Sequence, residues 1–324
     1  MNKVECTLCP RHCKLAEGQR GDCRVRTNVG GKLFSLVYGK PCAVNTDPIE
    51  KKPLYHLLPG SSAFSIATAG CNLHCLYCQN WEISQSQPEN ARSTPMSPEE
   101  VVSKALANRC RTIAYTYSEP IVFYEYTYDT SKLAKDKGLL NALVTAGYIE
   151  QEPLKQLCAV TDAASVTIKG MTEDFYQKMS KGTLKPVLDC VTTMKKMGVW
   201  VEIINLVIPT WNDSDEDILA LVRWIKNYCG VDTPLHFSRF WPMYQLTNLP
   251  PTPESTLNRA WDIAKKEGLR FVYMGNLPTH HGNNTLCPSC GKLAIERRGY
   301  EILQDHAPNG KCKYCNFQLA GVWK

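Results

Sequence analysis

Cys71, Cys75 and Cys78 follow one another in the spacing C-x3-C-x2-C. Three thiolates are one ligand short of the four that normally hold a four-iron cluster, and an iron left open can bind a small molecule and act on it. The nearest replacement ligand is His74, but it lies inside the first interval, where it fills space or faces solvent. Zinc on three cysteines and one histidine would use the same thiolates. It gives no reason for Tyr77, the aromatic immediately before the third cysteine.

Two further cysteine groups flank this loop. Cys6-x2-Cys9-x3-Cys13, followed by Cys23, supplies four thiolates within eighteen residues, enough to close a site completely. Zinc fits, and so does an auxiliary four-iron cluster. Arg11, His12, Lys14 and Gly18 read as a compact polar knuckle without a dry pocket, which inclines the reading to zinc. Near the other end, Cys287-Pro288-Ser289-Cys290-Gly291 and Cys312-Lys313-Tyr314-Cys315 form a paired knuckle suited to a zinc ribbon or a single rubredoxin-type iron. The five other cysteines, 42, 110, 158, 190 and 229, lie singly in apolar or helical runs and read as small hydrophobes.

These groups take up eleven of the sixteen cysteines. The chain starts without an apolar leader, and no stretch approaches the roughly 20 apolar residues of a membrane span. Metal ligation in a reducing cytoplasm is therefore the expectation, rather than disulfides. The formal net charge of +6 is spread out, with no basic block like a nucleic-acid-binding arm.

The elements that must position the three-cysteine loop lie between residues 63 and 275. There, short β-branched apolar runs alternate with longer amphipathic ones, the pattern of a parallel sheet covered by helices. Strands are expected at 63–68, 112–117, 139–145, 163–169, 199–208, 234–240 and 270–274. Gly138, Gly198, Gly230 and Gly268 each end a helical run, whereas Ser97-Pro98-Glu99-Glu100 and Ser214 mark helix starts. The first strand runs into Gly70, so the cysteine loop sits at its C-terminal end, the functional end of such a sheet. Periodicity alone leaves a barrel and a doubly wound open sheet both open. The length suits one barrel (61–278) between a four-cysteine knuckle with a β-rich lead-in (1–60) and a small ribbon (279–324).

The run Gly70-Cys71-Asn72-Leu73-His74-Cys75-Leu76-Tyr77-Cys78-Gln79-Asn80-Trp81 resembles the signature loop of radical S-adenosylmethionine (SAM) enzymes. The resemblance implies a partial (β/α)6 TIM-like barrel, open on one side, and a [4Fe-4S] cluster on the three cysteines. The open iron would chelate SAM, whose reductive cleavage yields a 5'-deoxyadenosyl radical that abstracts hydrogen. Tyr77 would lie near the adenine. Tyr115-Thr116-Tyr117-Ser118-Glu119-Pro120 stands where that superfamily carries a motif for the SAM amino group, so Ser118 and Glu119 are implied contacts; the alternative is that Glu119 only begins a helix. Ser165-Val166-Thr167-Ile168-Lys169-Gly170 resembles a strand of glycyl-radical-enzyme activases that ends in Asp-x-Lys, with Lys169 kept and Thr167 in place of the Asp. On the next strand Glu202 and Asn205 face opposite ways, and Asn205, nearer the C-terminal end, is the expected contact. Arg239, after His236-Phe237-Ser238, is a candidate for a carboxylate or SAM; a surface ion pair is the alternative. The tyrosines at 115, 117, 124, 126 and 128 read as packing.

Together with Asp47-Pro48-Ile49-Glu50-Lys51-Lys52-Pro53-Leu54-Tyr55-His56, these segments resemble the AmmeMemoRadiSam radical SAM enzymes, relatives of pyruvate formate-lyase activating enzymes. That resemblance implies an electron donor of flavodoxin or ferredoxin type and, as partners, Memo-family and AMMECR-family proteins. The expected substrate is a protein or peptide. An RNA-modifying radical enzyme and a zinc-only interaction module are the alternatives; the modest charge argues against the first and the β/α core against the second.

Overall fold

The computed structural model describes residues 3–277 and 281–324, so the expected boundary at 278–279 falls outside the described residues. Two short hairpins come first: β1 (Val4–Glu5) pairs antiparallel with β2 (Lys14–Leu15), and β3 (Arg26–Val29) with β4 (Lys32–Ser35). The main sheet has eight strands. β5 (Ala43–Pro48) lies antiparallel to β6 (Ser62–Ala67) at one edge. β7 (Thr112–Tyr115), β8 (Leu140–Thr145), β9 (Ala163–Thr167), β10 (Trp200–Val207), β11 (Leu235–Arg239) and β12 (Val272–Gly275) then follow in chain order, each parallel to the one before.

That strand order decides what periodicity left open. A doubly wound sheet reverses direction at a switch point, whereas here β6 to β12 are added on one side only, as in a barrel. β5 and β12 are the two edges and do not pair, so the barrel stays open. All seven parallel strands overlap the predicted ones. The sheet therefore has one parallel strand more than six, and it reaches back to Ala43, ahead of the expected start at 61.

α1 (Trp81–Ser84) is a single turn closing the cysteine loop; α2 (Pro98–Ala107), α3 (Tyr124–Asp136), α4 (Gln151–Cys158), the turn α5 (Glu173–Phe175), α6 (Lys185–Lys196), α7 (Asp215–Tyr228) and α8 (Glu254–Lys266) alternate with the strands. The predicted start of α2 is a capping box: the Ser97 hydroxyl accepts from the Glu100 N–H at 3.3 Å, and the Glu100 carboxylate from the Ser97 N–H at 2.7 Å. Strands covered by helices on one face and packed across the barrel on the other have no solvated side. β7 is accordingly buried along its whole length.

The C-terminal sheet of β13 (Thr285–Leu286), β14 (Leu293–Arg298) and β15 (Glu301–Asp305) packs on Phe271 and Tyr273 beside β12. Arg297, 1% exposed, fixes it there. Its guanidinium donates to the Tyr55 carbonyl at 2.9 Å and the Thr285 hydroxyl at 2.8 Å, and lies 3.7 Å from the buried Glu50 carboxylate. Burial of that pair in low dielectric makes both members dependent on each other. Among the described residues, no helix is long and apolar enough to cross a membrane.

Candidate active site

At the C-terminal ends of the parallel strands lies a cavity of ≈ 610 Å³. Cys71, Cys75 and Cys78 form part of its wall, with Tyr77, Ser118, Glu119 and Lys169. The two-residue alternation of the strands supplies the rest, as pairs such as Ser165 and Thr167, Ile204 and Leu206, and His236 and Ser238.

The cysteine loop is held by its backbone from three directions. Gly70 N–H donates to the Ile83 carbonyl (3.0 Å), His74 and Leu76 N–H groups donate to Ser180 and Met179 (both 3.0 Å), and the Leu76 carbonyl accepts from Gln245 (2.9 Å). The Cys71 sulfur already accepts a hydrogen bond from the Leu73 N–H at 3.4 Å, and Cys78 Sγ shares one with the Ser84 hydroxyl at 3.2 Å. Burial pushes the Cys71 thiol well up, helped by the Glu119 charge and the neighbouring thiols; it also raises Cys78. Such thiols ionise readily only when a cation is bound among them.

Lys169 places a positive charge beside these thiols. Its ammonium lies 5.9 Å from the centre of the Tyr77 ring. Burial works against its charge, but Cys75, Cys71, Cys78 and Glu119 outweigh this and raise its pKa. Thr167, two residues earlier, points into the same cavity, where the activase-like pattern has a carboxylate. Tyr77 is buried, with its hydroxyl 3.1 Å from Ser180 Oγ.

Glu119 both caps a helical turn and lines the cavity, so the two readings of it coincide. One carboxylate oxygen accepts from the Thr145 hydroxyl (2.5 Å) and the Ile121 N–H (3.3 Å), and the other from the Ala146 N–H (2.8 Å). Burial raises its pKa against these bonds. The Ser118 hydroxyl donates to the Thr68 carbonyl at 2.7 Å, tying the end of β6 to the next loop.

Two predicted contacts lie elsewhere. Asn205 is buried behind the sheet and donates to the Ile168 carbonyl at 2.9 Å, because its strand turns Ile204 and Leu206 inward. The inward register is that of Glu202. This carboxylate, fully buried, accepts from the Tyr55 and His56 N–H groups (3.0 and 2.7 Å), Trp200 Nε1 (3.1 Å) and His236 Nε2 (2.8 Å). Arg239 also misses the cavity: its Nε donates to the Thr252 carbonyl at 2.8 Å and its guanidinium covers Trp241. His74 faces away from the cavity, between Gln85 Oε1 and Asp22 Oδ2, both at 2.7 Å.

Sequence reasoning missed Lys52 and read Tyr117 as packing, yet both line the cavity. Lys52, 2% exposed, donates to Asp47 at 2.6 Å and lies 4.3 Å from the Tyr117 ring centre, and the Tyr117 hydroxyl donates to the same Asp47 carboxylate. Burial raises Asp47, but the bonds from Lys51, Lys52 and Tyr117 overcome this and hold it well below the carboxylate range. The available signal was the Asp47 to His56 segment, whose charges sit in an otherwise apolar lead-in.

The C-terminal cysteines converge. Cys287, Cys290, Cys312 and Cys315 bring their sulfurs within 4.8 Å of one another, with pairs at 3.5 and 3.9 Å. A tetrahedral ion with metal–sulfur bonds of about 2.3 Å spaces its ligands by about 3.8 Å. The group thus fits one zinc or one iron.

The superfamily profile for radical SAM proteins matches residues 65–222, from the last part of the first parallel strand into the helix after β10. The chain belongs to the radical SAM superfamily. It is 48% identical over 320 residues to an uncharacterized protein of Methanocaldococcus jannaschii, covering 98% of this chain and 95% of that one. It is 27% identical over 172 residues to the pyruvate formate-lyase-activating enzyme of Clostridium pasteurianum, covering 50% and 69%. The fold matches a radical SAM methyltransferase from Sphaerobacter thermophilus with a TM-score of 0.52 at 15% identity, over 67% of this chain and 66% of that one. The protein is an enzyme of the radical SAM class with homology to glycyl-radical activating enzymes. Membership implies a [4Fe-4S] cluster and SAM as cofactors, and a reductant.

Proposed function

We propose that Cys71, Cys75 and Cys78 hold the [4Fe-4S] cluster and that SAM occupies the ≈ 610 Å³ cavity beside it. What carries this reading is the placement of three thiols, with no fourth cysteine among the described lining residues, on the wall of a cavity at the strand ends. The donor set fits: buried thiols that need a cation to ionise, two of them with N–H or O–H groups on sulfur, and His74 turned away. Held by these three cysteines, the cluster would supply one electron to the SAM sulfonium, with cleavage of a carbon–sulfur bond to methionine and a 5'-deoxyadenosyl radical that would abstract hydrogen from the substrate.

The chain's own residues then have separable tasks. Lys169 balances the thiolates' negative charge and packs against Tyr77, which offers a buried aromatic face to an adenine. Glu119 keeps the end of β8 in place and, as a carboxylate on the cavity wall, would accept from the SAM ammonium. Lys52 and Tyr117, held by Asp47, present positive charge and a hydroxyl to the lead-in side of the cavity. Asn205 and Arg239 act as braces for the loops after β9 and β11 rather than as contacts. Lining from the C-terminal sheet extends to Tyr300, so the terminal ribbon, read as a metal-closed unit of its own, reaches the mouth of the site.

The assignment to the AmmeMemoRadiSam group, a protein or peptide substrate, and Memo-family and AMMECR-family partners belong to this proposal. An open barrel with edges β5 and β12 unpaired supports a large substrate. The test is anaerobic reconstitution with iron and sulfide, then reduction with SAM. The expected product is 5'-deoxyadenosine, lost in the C71A, C75A and C78A variants and accelerated by a Memo-family or AMMECR-family protein. A fully loaded, reducible enzyme that forms none refutes the chemistry, and equal rates with and without those proteins refute the partner assignment.

A further inference from the structure

The N-terminal thiols are arranged differently from the C-terminal ones. Among the described residues, only Cys287, Cys290, Cys312 and Cys315 bring three or more ligand atoms within 4.8 Å of one another; no three of Cys6, Cys9, Cys13 and Cys23 do so. A lone zinc draws its four sulfurs to about 3.8 Å apart. Sulfurs held farther apart do not match the spacing of a lone tetrahedral zinc. Between them lies a cavity of ≈ 20 Å³ whose wall includes all four cysteines, with Leu8, Ile121 and Val122. Of the polar knuckle expected from Arg11, His12, Lys14 and Gly18, only Arg11 lines this cavity; His12 turns away to Glu5 and Glu150 at 3.2 and 3.0 Å. A dry pocket, the feature the sequence did not show, is present.

We propose that Cys6, Cys9, Cys13 and Cys23 hold a second, fully ligated [4Fe-4S] cluster, against the loop of the first. Four thiolates on a four-iron cluster leave net negative charge and sulfides that accept hydrogen bonds. Arg26 answers both needs: it lines the cavity, is 6% exposed, and its Nε has no hydrogen-bond partner. Its other end is occupied by Glu125 at 2.5 Å, which fixes where the free N–H points. The Asp22 N–H donates to Cys13 Sγ at 3.4 Å, and Gly21 stands where a side-chain carbon would lie 3.6 and 3.7 Å from the Cys13 and Cys23 sulfurs. Contact with the three-cysteine loop is direct: the space at Gly70 is closed by Val25 and the Cys23 carbonyl, and the Asn72 carbonyl accepts from Arg11 Nε at 3.0 Å. Asn72 itself lines the cavity, one residue from Cys71.

Acid-labile sulfide decides the matter, because neither zinc nor a rubredoxin-type iron contributes any. The full chain, reconstituted anaerobically, should bind about eight sulfides, and the C71A/C75A/C78A variant about four. Four in the wild type with none in the triple variant, together with a second zinc, overturns the N-terminal cluster and leaves the proposed function standing. Four in both overturns the three-cysteine site and leaves this one. Should the triple variant not fold, electron paramagnetic resonance of the reduced wild type serves instead. Two signals are expected, one altered by SAM and one not; a single signal wholly altered by SAM refutes the proposal.

Discussion

Replacing Gly70 by Ala tests how tightly the cysteine loop is built into the fold. Gly70 has φ +95°, a backbone conformation that costs an L-residue about 1–2 kcal/mol. The new methyl carbon would also fall 2.6 Å from Val25 Cγ1 and 2.7 Å from the Cys23 carbonyl oxygen. Val25 is fully buried and the carbonyl is backbone, so neither moves without shifting the N-terminal hairpins. Overpacking of this kind costs about 1–3 kcal/mol, giving a combined loss of about 2–5 kcal/mol. Gly138→Ala is the control: its φ is +74° but nothing lies within 4 Å, so only the backbone cost of about 1–2 kcal/mol remains. Denaturant unfolding of the metal-loaded proteins should rank wild type, G138A and G70A in falling stability. Combining G70A with Val25→Ala should cost less than the sum, because removing Val25 relieves one of the two clashes. G70A should also retain less iron and form 5'-deoxyadenosine more slowly. Equal stability of G70A and G138A, with equal iron, would falsify the claim that this contact positions the loop.

Three other changes have definite expected outcomes. Lys169→Met removes a buried positive charge that acts on the three thiols, which should move the reduction potential of the cluster proposed there to more negative values by ~40 mV, corresponding to ~1 kcal/mol for one electron; an unchanged potential in a redox titration refutes the electrostatic role. His56, fully buried between the Ala320 carbonyl and the Tyr273 hydroxyl at 2.7 Å each, is held by burial at about 4, below its usual 6.5. Its neutral form therefore contributes stability fully present above about pH 6.5 and lost as the pH falls toward 4, about 3 kcal/mol in all. His56→Gln should flatten the pH dependence of unfolding over that window, and an identical slope in the two proteins argues against it. Cys290→Ser should release one metal ion per chain and expose residues 285–324 to protease while the barrel remains resistant; full retention of that ion by elemental analysis shows the four sulfurs are not its ligands.

The chemistry class was legible because it rests on local facts. Cys71, Cys75 and Cys78 are close in sequence, and their spacing limits them to one loop whatever surrounds it. Strand positions were readable for a similar reason: continuous β-branched runs bounded by glycine or serine signals can bury both faces only in a covered parallel sheet. The partners of the site were not readable in this way. Asn205 and Glu202 share one strand, and the choice of inward face depends on β9 and β11 on either side and on the Tyr55–His56 backbone that Glu202 must satisfy. The position of Arg239 was not readable because its acceptor, the Thr252 carbonyl, comes from a later loop.

The sequence by itself determined the strand ladder, the three-thiol loop at the end of its first parallel strand and the residue types available to the two flanking metal groups, since each depends on spacing within a short stretch. Only the tertiary structure decided that the barrel adds strands in one direction, that Lys52 and Tyr117 join the cavity, and that the C-terminal sulfurs converge on one point whereas the N-terminal ones surround a dry space. Those facts are distances between residues far apart in the chain. They are set by how β-strands, hairpins and buried charges pack together, and spacing along the chain does not encode them.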